Sequence, residues 1–219
     1  MTSIQPTVYD IPIDELQSAE EFAFEALHMD REMVMDQFDD VYENTIARCR
    51  ETLACKGMYA RFAVERVRDE AIELAGGTVL ESDLLATMFQ HADELAVYAA
   101  TVHGYEALVE ESRDEMFDGM FYNAWGIGFS MSAHRWLKQA IAEQASSEGK
   151  YVGRSWTPGE DEVAMSLQTP LFGLIDPSAI GITLGQNMLM RPIMSVTGFM
   201  GISGDPAIRE DGTSMPSCH

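Results

Sequence analysis

The sequence is short of cysteine, of basic residues and of long apolar runs. Only Cys49, Cys55 and Cys218 occur among its 219 residues. An odd, sparse set builds no disulfide framework. Cys49 and Cys55 stand six apart, a spacing that matches no standard zinc or iron–sulfur pattern. His28, His91 and His134 have no partner at metal-ligand spacing, so no functional metal site is expected. Lys and Arg number 14 against 36 Asp and Glu, for a net charge of -22. With no basic patch, nucleic acid is excluded as a partner, because its phosphates would be repelled. The plain reading of the acidity is a solvated surface, one that would also favour a basic partner. No apolar run approaches the roughly 20 residues that span a bilayer. Residues 1–15 lack the basic region and apolar core of a secretory signal. The expected setting is the cytoplasm, with no membrane partner.

Signatures of common catalytic sites are missing too. There is no Gly-x-Ser-x-Gly elbow, no phosphate-cradling P-loop and no Gly-x-Gly-x-x-Gly fingerprint. Trp125-Gly126-Ile127-Gly128 is a fragment of the last, but it lies inside a helical pattern. His134-Arg135 reads as a surface or helix-packing pair rather than as a base with its partner.

What is present suggests alternating helices and strands. Residues 7–13 alternate like an edge strand ending at a proline. Ser18-Ala-Glu-Glu21 has the form of a capping box before a helix. Phe22, Ala23, Ala26, Leu27, Met33 and Val34 fall mostly on one face of that helix. A second helical pattern runs through Phe38, Val41, Thr45, Ile46 and Leu53, with acids near its start. Lys56-Gly57 reads as punctuation, and residues 58–67 alternate weakly as a strand. Gly76-Gly77 stops a short apolar piece, and Ser82-Asp83 marks a helix start. Residues 95–102 are nearly continuous apolar β-formers, as expected of a central strand. Residues 105–145 are mainly helical. Gly126 and Gly128 each weaken that helix by about 1 kcal/mol relative to Ala, so a bend or close packing is expected there.

The chain is organised around residues 154–201, where Gly, Pro and apolar β-formers are most concentrated. Pro158-Gly159 opens the stretch. A helical segment ends near Asp176-Pro177, two short β-type runs cover 180–184 and 195–200, and a Met-rich connection lies between them. Arg154 is one of few cations, and its guanidinium is a rigid fork suited to a carboxylate. Met188, Met190, Met194 and Met200 would form a soft apolar wall. On residues alone, a groove for a small amphipathic ligand competes with a plainer reading. In that reading Arg154 pairs with an acid and the Met residues fill core.

This stretch also resembles the activation domain of vitamin B12-dependent methionine synthase, and more closely its small stand-alone relatives. The family shows an Arg–x3–Gly–Tyr signature, a helix ending Leu-Phe-x-Leu, an Ile-Gly-(Ile/Val)-x-Leu strand, a Met-x-Pro element and Ser-Val-(Ser/Thr)-Gly. Here the matching residues are Arg154, Pro158-Gly159, Leu171-Phe172-Gly173-Leu174, Ile180-Gly181-Ile182-Thr183-Leu184, Met190-Arg191-Pro192 and Ser195-Val196-Thr197-Gly198. The resemblance extends more loosely upstream. It implies an α+β domain with a twisted, largely antiparallel sheet flanked by helices, covering residues 1–203. Residues 1–80 would be its N-terminal part and 81–203 its core, with 204–219 as a loose tail.

The resemblance implies binding of S-adenosylmethionine at Arg154, Pro158, Gly159, Glu160, Thr197, Gly198, Phe199 and Met200. It implies a corrinoid-binding protein or corrinoid methyltransferase as partner, with cobalamin on that partner and not on this chain. In the family the domain presents the methyl group to cobalamin, and cobalt does the nucleophilic chemistry, so no general base is needed. Two departures stand out. Arg154 and Gly159 are five steps apart where the family has four, and Glu160 stands where the family has Tyr. They leave a second reading open, a non-catalytic accessory module that docks on the corrinoid system without the ligand. A third is an enzyme acting on an unrelated small molecule in the same groove. The lack of a nucleophile–base pair counts against it.

Overall fold

The computed structural model describes residues 5–160 and 162–211. In chain order the elements are β1 (Thr7–Ile11), α1 (Ala19–Leu27), α2 (Arg31–Gln37), α3 (Asp39–Thr52), β2 (Ala54–Arg68), β3 (Ala71–Leu74), β4 (Val79–Glu81) and α4 (Asp83–Met88). Then come β5 (Glu94–His103), α5 (Tyr105–Glu111), α6 (Met116–Ser147), β6 (Tyr151–Trp156), α7 (Gln168–Ile175), β7 (Thr183–Leu184), β8 (Met190–Arg191) and β9 (Ser195–Ser203).

Seven strands form one sheet in the order β4-β3-β2-β5-β9-β6, with β1 paired to Cys55–Tyr59 of β2 on the edge opposite β5. Every pairing is antiparallel. The fold is therefore α+β with a largely antiparallel sheet and flanking helices, as the resemblance implied. Strands β7 and β8 make a separate small ribbon.

The central position of β5 follows from its composition. An interior strand loses both faces to the core, so only a nearly continuous apolar run suits it. Leu95, Val97 and Ala99 point to one face, where α4 and α7 supply Leu85, Met88, Leu171 and Ile175. Ala96, Tyr98 and Ala100 point to the other, where α6 supplies Leu137, Ile141 and Ala145. A second apolar cluster on the α6 side holds α1, α3 and the first half of α6 together through Ala23, Tyr42, Ile46, Trp125 and Phe129.

α6 is one continuous helix of 32 residues, about 48 Å long. Of the two outcomes expected at Gly126 and Gly128, close packing is the one found. Gly126 lies against the Tyr105 ring, and Gly128 against the backbone carbonyl of Ala19. A side chain at either position would push a neighbouring element away.

Several local expectations are corrected. Ser18 makes no capping bond. Its hydroxyl lies 2.8 Å from that of Ser132 on α6 and so ties two helices together. The helix expected through Val34 breaks at His28, which adopts a left-handed conformation, and restarts at an Asp30 cap that accepts from the Met33 amide. Lys56-Gly57 does not punctuate the chain. Both residues lie inside β2, paired with Thr101 and Ala100 of β5. The Ser82 cap forms as expected, accepting from the Leu85 amide at 3.1 Å.

Past β9, part of the segment expected to be loose is packed. Pro206–Arg209 forms a 3-10 turn in which Ile208 is fully buried. The Asp211 side chain is also buried and accepts from the His91 amide and the Gln90 side chain. Residues 212–219, with Cys218 and His219, lie outside the described residues. No helix among the described residues is long and apolar enough to cross a membrane.

Candidate functional site

β6 lies at the edge of the sheet and pairs with β9 alone. Its register sets Ser155 opposite Met200 and Trp156 opposite Phe199, with an irregularity between Val152 and Ser155. Two groups of expected site residues, from 154–160 and from 197–200, are thereby brought onto neighbouring strands. No sequence-local contact could do this, since about 40 residues separate them.

The turn after β6 is built by Pro158-Gly159. The Glu160 amide donates to the Thr157 carbonyl at 3.1 Å, and Gly159 has φ +95. A turn with proline second and a positive φ third is the type II arrangement, and it selects glycine at that place. The Gly159 amide donates back to the Val163 carbonyl at 2.8 Å, closing the loop. Pro158 is buried, whereas Gly159 and Glu160 are exposed.

On β9 the expected residues divide by strand alternation. Thr197 and Phe199 face α7 and are fully buried, and the Thr197 hydroxyl donates to the Gln168 side chain at 3.2 Å. Gly198 and Met200 face α6. Gly198 is pinned: a Cβ there would stand 2.5 Å from Tyr98 Cζ and 2.7 Å from the Trp156 carbonyl oxygen. Thus Thr197 and Phe199 hold the strand from behind, while Gly198 is part of the α6-facing surface.

Sequence reasoning missed the polar cluster on that surface. The Tyr98 hydroxyl lies 2.8 Å from His134 Nε2. Burial lowers the His134 pKa to about 3 and raises that of Tyr98. One helical turn beyond His134, Lys138 donates to the Ser155 hydroxyl at 3.2 Å. Burial first, then the positive charges of Arg135 and Arg154, lower the Lys138 pKa, while Glu160 acts in the opposite direction. The Arg154 guanidinium lies over the Trp156 ring, 4.4 Å from its centroid. Trp156 is 2% exposed, and its indole N–H finds no acceptor among the described residues.

A signal for Lys138 was present in the sequence. Its position falls within the stripe of His134, Leu137, Ile141 and Ala145, all of which face the sheet. A charged residue in such a stripe needs a partner or a role. Trp156 gave no comparable signal, because any β-strand tryptophan reads as core.

Arg154, Lys138 and Glu160 stand close enough at the end of β6 to act on one another, next to a glycine-bearing turn, while the orphaned indole donor lies on the α7-facing side under the Arg154 guanidinium. Two cations, one of them partly desolvated, suit a carboxylate through charge-assisted hydrogen bonds. A separate cleft of about 580 Å3 lies on another flank of α6, lined by Asp14, Ser18, Ser132, Arg135, Trp136 and Glu143. It includes none of the residues expected from the sequence. Among the described residues no cluster of three or more His, Cys, Asp or Glu could hold a metal ion.

No protein-family model and no curated protein matches the sequence. Among solved structures, the crystal structure of the MetH reactivation domain bound to AdoHcy matches with a TM-score of 0.70 at 14% identity. The match covers 91% of this chain and 79% of that one. The likeness to the methionine synthase activation domain read from residues 154–201 is therefore borne out in the fold: the chain has the architecture of the MetH reactivation domain.

Proposed function

We propose that this chain binds S-adenosylmethionine or a closely related adenosyl amino acid beside Arg154 and Lys138. It presents that ligand to a corrinoid protein in trans, in support of reductive reactivation or methyl transfer in the cytoplasm. In this reading residues 1–203 act as a single activation-domain-like unit.

The carrying observation is the pair Arg154 and Lys138. Lys138 is partly desolvated beside Arg154, with the Glu160 carboxylate near, and two cations at the end of β6 suit an anionic group of a ligand. The carboxylate of an adenosyl amino acid supplies that anion. The likeness in fold to a reactivation domain that carries AdoHcy supports the choice of ligand. Arg154 takes the carboxylate, Lys138 adds a second positive charge held in place by Ser155, and the turn at Gly159 lets backbone come close to the ligand. S-adenosylmethionine supplies the methyl group; the residues of this chain bind and orient it and keep water away. The corrinoid belongs to the partner.

Calorimetric titration with S-adenosylmethionine at low salt tests the reading. Saturable binding in the micromolar range is expected in the wild type, none in Arg154→Ala, and tighter binding in Glu160→Tyr. An unchanged affinity in Arg154→Ala removes that residue from the site.

A second reading keeps the corrinoid contact and gives up the ligand. The observation favouring it is the turn itself, where an exposed Glu160 and one extra residue stand in place of the family pattern. Absence of heat and of thermal stabilisation at millimolar ligand would select this reading, and pull-down with a corrinoid protein would then be its test.

A further inference from the structure

We infer that Trp156 is a ligand-binding residue, its indole N–H meeting the same carboxylate that Arg154 takes. The inference rests on the functional reading above and adds to it a residue that no motif indicated.

The argument starts from an unsatisfied donor. Trp156 Nε1 is buried and without an acceptor, in an apolar cluster that includes Val163, Leu167, Leu171 and Phe199. A buried donor left unmade costs about 1–3 kcal/mol, and native structures seldom keep one without cause. The apolar neighbours give the indole N–H no acceptor, so they do not account for the polar edge of this ring. The position also matters. Trp156 is the last residue of β6, immediately before the Pro158-Gly159 turn, and its carbonyl packs against Gly198. It falls between Arg154 and Gly159, inside the segment that is one residue longer than the family pattern.

The second observation is the guanidinium 4.4 Å from the ring centroid. This cation–π contact holds Arg154 next to the indole. A carboxylate has two oxygens and can accept from both groups at once. A carboxylate at the edge of the ring would accept from the guanidinium on one oxygen and from the indole N–H on the other. The ligand class is thus a small molecule with a free carboxylate, as in the amino-acid end of an adenosyl amino acid.

The test replaces Trp156 with β-(3-benzothienyl)alanine, which keeps the shape of the ring and substitutes sulfur for the N–H. Trp156→Phe serves as a second variant. Each is titrated with S-adenosylhomocysteine and melted without ligand. The isostere is expected to bind roughly 3- to 10-fold more weakly, the loss of about one hydrogen bond, with a ligand-free unfolding midpoint no lower than that of the wild type. Trp156→Phe should lose at least as much affinity. Equal affinity in the wild type and the isostere overturns the inference and leaves the functional reading standing. A lowered ligand-free midpoint with unchanged affinity also overturns it, because the N–H would then serve the fold. No binding by the wild type overturns the functional reading, and this inference with it.

Discussion

The hydroxyl of Tyr98 stands 2.8 Å from Nε2 of His134, joining the middle strand of the sheet to the long helix that covers it. With His134 neutral, the hydroxyl donates and the ring nitrogen accepts. The bond lies beneath Gly198 and one helical turn from Lys138, so it sets the depth at which α6 sits over the candidate site.

This bond predicts acid sensitivity. The folded pKa of His134 is about 3, far below the ordinary value of 6.5, because burial disfavours the cation. Between those values the unfolded chain binds a proton that the folded chain refuses. Stability is therefore fully present above about pH 6.5 and falls as the pH drops toward 3, by up to about 1.4 kcal/mol per pH unit. Urea unfolding of wild type and His134→Gln at pH 4, 5, 6 and 7 should show a shallower pH slope in the variant. Parallel slopes would contradict the assignment.

Gly198→Ala is expected to be strongly disruptive. Its methyl group would meet the Tyr98 ring and the Trp156 carbonyl, neither of which is a yielding side-chain end. Overpacking of this kind costs about 1–3 kcal/mol. Chemical denaturation gives the loss in stability, and ligand titration should show binding falling with it, since β6 must move away from β9.

Lys138→Met should separate stability from function. Removing a partly desolvated cation beside Arg154 raises the unfolding midpoint. The same change removes one of two charges proposed for the ligand carboxylate, so affinity for S-adenosylmethionine is expected to fall by roughly tenfold or more. A variant that binds as tightly as wild type would exclude Lys138 from the site.

The C-terminal turn is expected to respond to pH in the opposite sense. The hydrogen bond to Asp211 raises the His91 pKa above its ordinary value, at a distance of 2.5 Å. Its contribution is fully present below pH 6.5 and is lost as pH rises through the raised folded value. A proton-NMR titration of the His91 ring should give a midpoint above 6.5 in wild type, moving down in Asp211→Asn. An unshifted midpoint would remove this contact from solution.

Much of the architecture is written in local patterns. The unbroken apolar run of residues 95–102 could serve only as a strand covered on both faces. Ser82, Gly76-Gly77 and Pro158-Gly159 mark a helix start and two turns through chemistry that acts within a few residues. The order of motifs from Arg154 to Gly198 pointed to the family fold before any contact was known.

Other features were decided by contacts between distant segments. Ser18 turned from its own helix to Ser132, because a helix neighbour was there to receive its hydroxyl. Lys56-Gly57 joined a strand because β1 and β5 pair along both its edges. His134 became a buried acceptor, and Lys138 a partly desolvated cation, only when α6 settled on Tyr98 and Ser155. Trp156 is left without an acceptor by packing on the other face of the sheet, against Val163, Leu167, Leu171 and Phe199. A sequence determines by itself what each short segment prefers, since those preferences arise from dihedral limits, capping and periodicity. Which polar groups end up buried, paired or orphaned depends on what the fold brings opposite them, and that was settled by tertiary structure alone.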